Sequence, residues 1–167
     1  MSDPNFRVIA LDPGGTTGWA TYSAQTSSYI STAGKQYLYA DEEWACGQIG
    51  PEEHHLDLYE FLELQHIHDT VVVCESFEYR NYRHRDNLNL MSKEYIGVTK
   101  LFGQERDVPV VFQTAGAAKP FVTDQKLKKM GLWYPGQKHA MDAMRHLVFH
   151  LVNKNRRTDL IKCWKDL

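Results

Sequence analysis

The stretch TVVVCESF, residues 70–77, limits the architecture more than any other part of the sequence. Val71, Val72, Val73 and Cys74 follow one another with no polar face between them. A strand built from them must be covered on both sides, as in parallel sheets flanked by helices. An acid, Glu75, stands at its end. A similar run, FRVIALDP, is stopped by proline and glycine, and predicts a buried strand over residues 6–12 with Asp12 at its end. Residues 19–23 predict a second strand and residues 36–50 contain a third, so the first three can form a meander.

Helices are expected between these strands. Pro51, Glu52 and Glu53 open a segment in which Leu58, Phe61 and Leu62 share a helical face, with proline and acids where the helix dipole favours them. Residues 87–106 are helical in composition, but Leu90, Ile96, Val98, Leu101 and Phe102 spread too widely for one stripe, a breadth that permits burial against a second subunit. Residues 108–113 predict another strand, followed by a small-residue loop and a basic helical segment over residues 123–129. After the turn at Tyr134-Pro135-Gly136, Ala140, Met144, Leu147, Val148 and Leu151 recur at helical spacing and predict a helix facing the sheet. Beyond Asn153 the chain becomes polar and basic, so residues 1–153 are expected to form one domain and residues 154–167 a peripheral tail.

A chain of 167 residues with 43% apolar content suits a single core. No stretch approaches the roughly 18–20 apolar residues needed to cross a bilayer, and the first six residues are too polar for a secretory signal. A cytoplasmic setting is expected, with Cys46, Cys74 and Cys163 as reduced thiols. The net charge of −2 hides a polarity: two bases face thirteen acids up to Glu78, and seventeen bases face eight acids from Tyr79 onward. The second half therefore suits an anionic partner, unless the two halves neutralise each other in the fold.

The candidate chemistry lies in Asp12, Glu75, His139 and Asp142. Strand ends are where open α/β sheets gather their sites, and residues three apart on a helix are neighbours. Carboxylates with one imidazole suit Mg²⁺ or Mn²⁺, and two such ions suit phosphodiester hydrolysis. Each residue also has a plainer role open to it: Asp12 as a turn former, Glu75 as a buried paired acid, Asp142 as a helix-start acid and His139 as a satisfied polar group. His146 and His150, further along the helix, are assigned to structure or surface. For nucleic acid, the run FEYRNYRHR supplies Phe77, Tyr79 and Tyr82 for stacking and Arg80, Arg83 and Arg85 for phosphates. Lys119, Lys126, Lys128 and Lys129 form a second basic set. A solvated basic loop and a charged helix face are the plainer accounts of these two groups.

In this order the segments ALDPGGTTGWA, VVVCESF and HAMDAMRHLVFH resemble the RuvC-like Holliday-junction resolvases of the ribonuclease H-like superfamily. In that family the last helix supplies two ligands three residues apart, the first being Asp or His, as at His139 and Asp142. The resemblance implies a mixed five-stranded sheet with helices on both sides. It also implies a homodimer that nicks two opposed strands of a four-way DNA junction, with Mg²⁺ or Mn²⁺ as cofactor. Asp12 would bridge two ions, Glu75 and Asp142 would complete their shells, and His139 would be a ligand or proton-handling group. Water would attack in line, leaving 5′-phosphate and 3′-hydroxyl ends. The family's base-stacking Phe falls three residues after the second acid; Glu78 stands there, between Phe77 and Tyr79. The glycine-rich turn and the divergent tail look more like viral members, which suggests a phage origin.

Three rivals share parts of this pattern. LDPGGTTG also resembles the phosphate loop of sugar kinases and other actin-like ATPases, although those have two lobes and roughly twice the length. A non-catalytic nucleic-acid-binding domain would not need the acidic set. A nuclease of the same chemistry acting on flaps, forks or RNA is the third.

Overall fold

The computed structural model of the chain describes residues 5–30, 36–50, 55–77 and 90–166. Strands β1 (Asn5–Asp12), β2 (Thr17–Ile30) and β3 (Gln36–Ile49) form an antiparallel meander. Strand β4 (Thr70–Glu75) lies parallel to β1 on its other side, and β5 (Val110–Gln113) lies parallel to β4. The sheet order is β3-β2-β1-β4-β5. Helix α1 (His55–Gln65) connects β3 to β4, and α2 (Met91–Arg106) connects β4 to β5. Then come α3 (Ala115–Phe121), α4 (Asp124–Lys129), α5 (Lys138–Asn153) and a 3-10 helix, Thr158–Asp166. The mixed five-stranded sheet flanked by helices is the architecture expected from the sequence. Among the described residues no helix is long and apolar enough to cross a membrane.

The continuous apolar runs are explained by burial on both faces. Val8, Ala10 and Val73 pack with Ala140, Met144, Leu147, Val148 and Leu151 of α5. On the opposite face Ile9, Leu11, Val72 and Cys74 pack with Leu58 and Leu62 of α1 and Tyr95, Ile96 and Phe102 of α2. Each fully buried Leu or Ile contributes about 1.5–3 kcal/mol, so both layers hold the central strands in place. Helix α2 stops where Asp107 adopts the left-handed conformation, φ 54°, and its N–H bonds the Gly103 carbonyl, which turns the chain into β5.

Two segments differ from the sequence reading. The small-residue stretch after β5, expected as a loop, folds as α3, because Ala115, Ala117 and Ala118 favour a helix and Pro120 falls in its last turn. Residues 154–167, read from sequence as a basic tail, contain the 3-10 helix whose Leu160, Ile161 and Trp164 pack against the α5 layer. Arg157 anchors its start through Tyr22, Glu42 and Asp159.

Candidate active site

Strand register decides which side chains meet. Leu11 of β1 lies beside Cys74 of β4, and Glu75 lies beside Gln113 of β5. Side chains alternate along a strand, so Asp12 shares the α5-facing side with Val8 and Ala10, and Glu75 shares it with Val73. The first turn of α5 lies against the sheet at Gly18, the β2 partner of Asp12. A Cβ on Gly18 would stand 2.0 Å from the His139 carbonyl oxygen, so only glycine lets the helix approach this closely. Gln48 of β3 then caps the helix, its Oε1 accepting the His139 N–H at 3.1 Å.

This approach brings the four expected residues to one end of the sheet. His139 Nδ1 lies 3.0 Å from Asp12 Oδ2. Lys119 of α3 reaches between the other two acids, its Nζ 3.3 Å from Glu75 Oε2 and 3.0 Å from Asp142 Oδ2. Arg145, one turn beyond Asp142, donates to the Asp142 carboxylate, to Asp124 and, through Nε at 3.1 Å, to the Val122 carbonyl. His146 is buried with Nε2 2.8 Å from Glu75 Oε2 and Nδ1 2.9 Å from Gln113 Oε1. Sequence reasoning assigned His146 to structure or surface and passed over Arg145. The spacing of His139, Asp142 and His146, three and then four residues apart on one helical face, was the signal that linked His146 to the site.

Electrostatics distinguish the three acids. Burial, reinforced by the negative charge of Glu75, pushes the Asp12 carboxyl from 3.8 up to about 6, against the hydrogen bond with His139. Burial acts in the same direction on Glu75, but the hydrogen bond with His146 and the charge of Lys119 hold it below the ordinary glutamate value. Burial also opposes the charge on Lys119, yet Asp142 and Glu75 keep its ammonium above the ordinary lysine range.

No protein-family model matches this sequence, and no curated protein matches it. Solved structures do. RuvC of T. thermophilus in complex with Holliday junction substrate superposes with a TM-score of 0.58 at 18% identity, covering 92% of this chain and 98% of that one. A structure of Thermus thermophilus RuvC superposes with a TM-score of 0.55 at 17% identity, covering 90% and 96%. The chain has the RuvC fold.

Within this RuvC fold the acidic residues suit a divalent cation in their chemistry. Three carboxylates face one another at a single end of the sheet, and Asp12 carries a burial penalty that a bound cation would relieve. Among the described residues no three His, Cys, Asp or Glu side chains form a ready-made metal cage. The Lys119 ammonium provides the positive charge between Glu75 and Asp142.

The residues expected to contact nucleic acid are distributed unevenly. Tyr79, Arg80, Tyr82, Arg83 and Arg85 lie outside the described residues. Phe77 packs against the α1–α2 layer, with Lys93 Nζ 5.2 Å from its ring centre. It lines a cleft of about 460 Å³ with Lys93, Lys100 and Phe112. On the other side of the site, a groove of about 630 Å³ is lined by Lys119, Lys138, Asp142 and Arg145. Lys126 donates to the Phe121 carbonyl at 2.7 Å and lies 4.5 Å from the Trp164 ring centre, so it holds the 3-10 helix in place. Lys128 lies over Trp133, and Lys129 is exposed.

Proposed function

We propose that this chain is a metal-dependent, structure-selective DNA endonuclease that resolves four-way junctions by paired nicks. The observation that carries the proposal is the meeting of Asp12, Glu75 and Asp142, from two neighbouring strands and one helix, at one end of a RuvC fold. The similar RuvC structure solved with a Holliday junction supports branched DNA as the substrate class.

Asp12, Glu75, Asp142 and His139 are the residues that would hold Mg²⁺ or Mn²⁺. Two such ions, when bound, activate water and stabilise the leaving oxygen of a phosphodiester. The chain's own groups prepare the rest. Glu75 is held ionised, and a bound cation would favour the ionised form of Asp12 against its burial. His139, hydrogen-bonded to Asp12, is placed either to bind an ion or to carry a proton. Lys119, displaced from the carboxylates, would turn its ammonium to a phosphate oxygen, and the groove lined by Lys138 would follow the strand. A homodimer would present two such sites to opposed strands. The half-exposed Leu90 and Leu101 on the α2 side support a contact there.

The test is to incubate the protein with four-way, three-way, flap and duplex DNA plus Mg²⁺ or Mn²⁺ and to map cuts on both strands. Symmetric paired incisions near the crossover of the four-way junction are expected. Cleavage confined to flaps, or to RNA in a parallel assay, would transfer the chemistry to another substrate. No cleavage of any branched DNA would overturn the proposal.

A further inference from the structure

His146 stands out among the buried polar groups because each nitrogen of its ring meets a hydrogen-bonding partner. Its side chain has 0% exposure. Filling the same space with an apolar side chain would avoid the cost of burying an imidazole. His150, one turn further along α5, shows the contrast: it is also buried, yet among the described residues its Nδ1 has no hydrogen-bond partner, as suits a ring kept for packing. His146 instead touches Glu75 through Nε2 and Gln113 through Nδ1.

We propose that His146 is a positioning residue: it sets the direction of the Glu75 carboxylate and thereby tightens the grip of the carboxylate set on a divalent cation. The inference rests on the metal-dependent reading above. A glutamate at a strand end has three rotatable bonds and costs free energy to order. The rigid ring of His146 is fixed to the helix that also carries Asp142 and His139. Gln113, beside Glu75 in the sheet, holds its other edge. Helix and sheet are thereby tied together at the acid that ends β4. Whichever way the Gln113 amide is turned, Nε2–H is the donor toward Glu75. Both the His146 and the Lys119 contacts fall on Oε2, which assigns Oε1 to an incoming cation. Partners of this kind typically change metal affinity by about 10–100-fold.

The test is Mn²⁺ binding to the whole protein without DNA, followed by the loss of the free-ion electron paramagnetic resonance signal. The variants are His146→Leu, His146→Gln and Gln113→Leu, with circular dichroism to confirm folding. His146→Leu is expected to weaken Mn²⁺ binding about tenfold or more, and junction binding in EDTA should be unchanged. His146→Gln, which keeps an N–H near the position of Nε2, should recover most of that loss. Native Mn²⁺ affinity in folded His146→Leu, or equal losses in the Leu and Gln variants, would overturn the positioning role and leave the nuclease reading intact. Absence of Mn²⁺ binding by the unaltered protein would overturn both. If His146→Leu does not fold, Gln113→Leu decides: an affinity loss of about tenfold supports the role, and an unchanged affinity overturns it.

Discussion

Both faces of the sheet carry a buried apolar layer, but they differ at one end. Leu11, Cys74 and Phe112 lie in one row across β1, β4 and β5. Leu11 and Cys74 are buried in the α1–α2 layer. One residue later Asp12, Glu75 and Gln113 end the same strands, and all three have their contacts on the α5 side. A period of two therefore sorts the apolar row from the polar row. A slip of one residue in β4 would turn Glu75 into the apolar layer and Cys74 toward Asp142. The lesson is that, among the described residues, strand ends and helices bring these side chains together. The polar row is the last row of an ordinary pleat, met by the side chains that α5 brings to it.

The most severe way to break the comparison is to neutralise the polar row. Glu75→Gln and Asp142→Asn are each expected to reduce cleavage on the order of a thousandfold or more, equivalent to about 4 kcal/mol of lost transition-state stabilisation. Junction binding in Ca²⁺ or EDTA should be retained, and single-turnover cleavage beside gel-shift titration would check this. A matching cut on the apolar side, Leu62→Ala, should cost about 2–5 kcal/mol of stability. Where the protein remains folded, its metal requirement should not change, which thermal unfolding and a Mg²⁺ titration would show.

Moving α5 off the sheet is the next largest perturbation. Gly18→Ala forces the His139 backbone away from Asp12. It should destabilise by about 1–3 kcal/mol and lower the apparent Mg²⁺ affinity as well. Urea denaturation and metal titration would separate these two effects.

A gain is expected from Asp12→Asn in metal-free protein. The folded-state value of about 6 exceeds the ordinary 3.8, so the folded protein binds the extra proton between those values. Stability is highest below about pH 4, falls as pH rises toward 6 and remains lower at pH 7. Asparagine removes that penalty and should add about 1–3 kcal/mol at pH 7.5 but little at pH 4. Urea melts in EDTA at the two pH values would show the difference. The same stability in both proteins at both pH values would mean that Asp12 is not strained by burial.

The smallest effect sharpens the contrast between glycines. Gly97 lies in α2 with nothing among the described residues within 4 Å of an added Cβ, so Gly97→Ala should stabilise by about 0.5–1 kcal/mol. Gly18→Ala does the opposite, and paired unfolding curves would show the two signs.

The legible parts of this protein are those with a strong local pattern. TVVVCES and FRVIALDP required double-sided cover, and the spacing of Ala140, Met144, Leu147, Val148 and Leu151 defined the face of α5. All five of those α5 residues are fully buried. The helix α3 was hidden because Gly116 and Pro120 outweigh three alanines when read without neighbours. Lys126 was grouped with the basic set by composition, and the sequence did not show that its ammonium lies over Trp164, a residue distant in the chain. Lys119 was grouped with it by composition, although its partners are two acids from other elements.

Alternation and periodicity alone determined that an acid would end each of two buried strands and that a helix would present His139 and Asp142 on one side. Those are local consequences of backbone geometry. Only the tertiary structure decided that Gly18 admits the helix, that Lys119 lies between Glu75 and Asp142, and that His146 belongs to Glu75 rather than to the core. These outcomes depend on distances between segments far apart in the chain, which follow from how the layers pack.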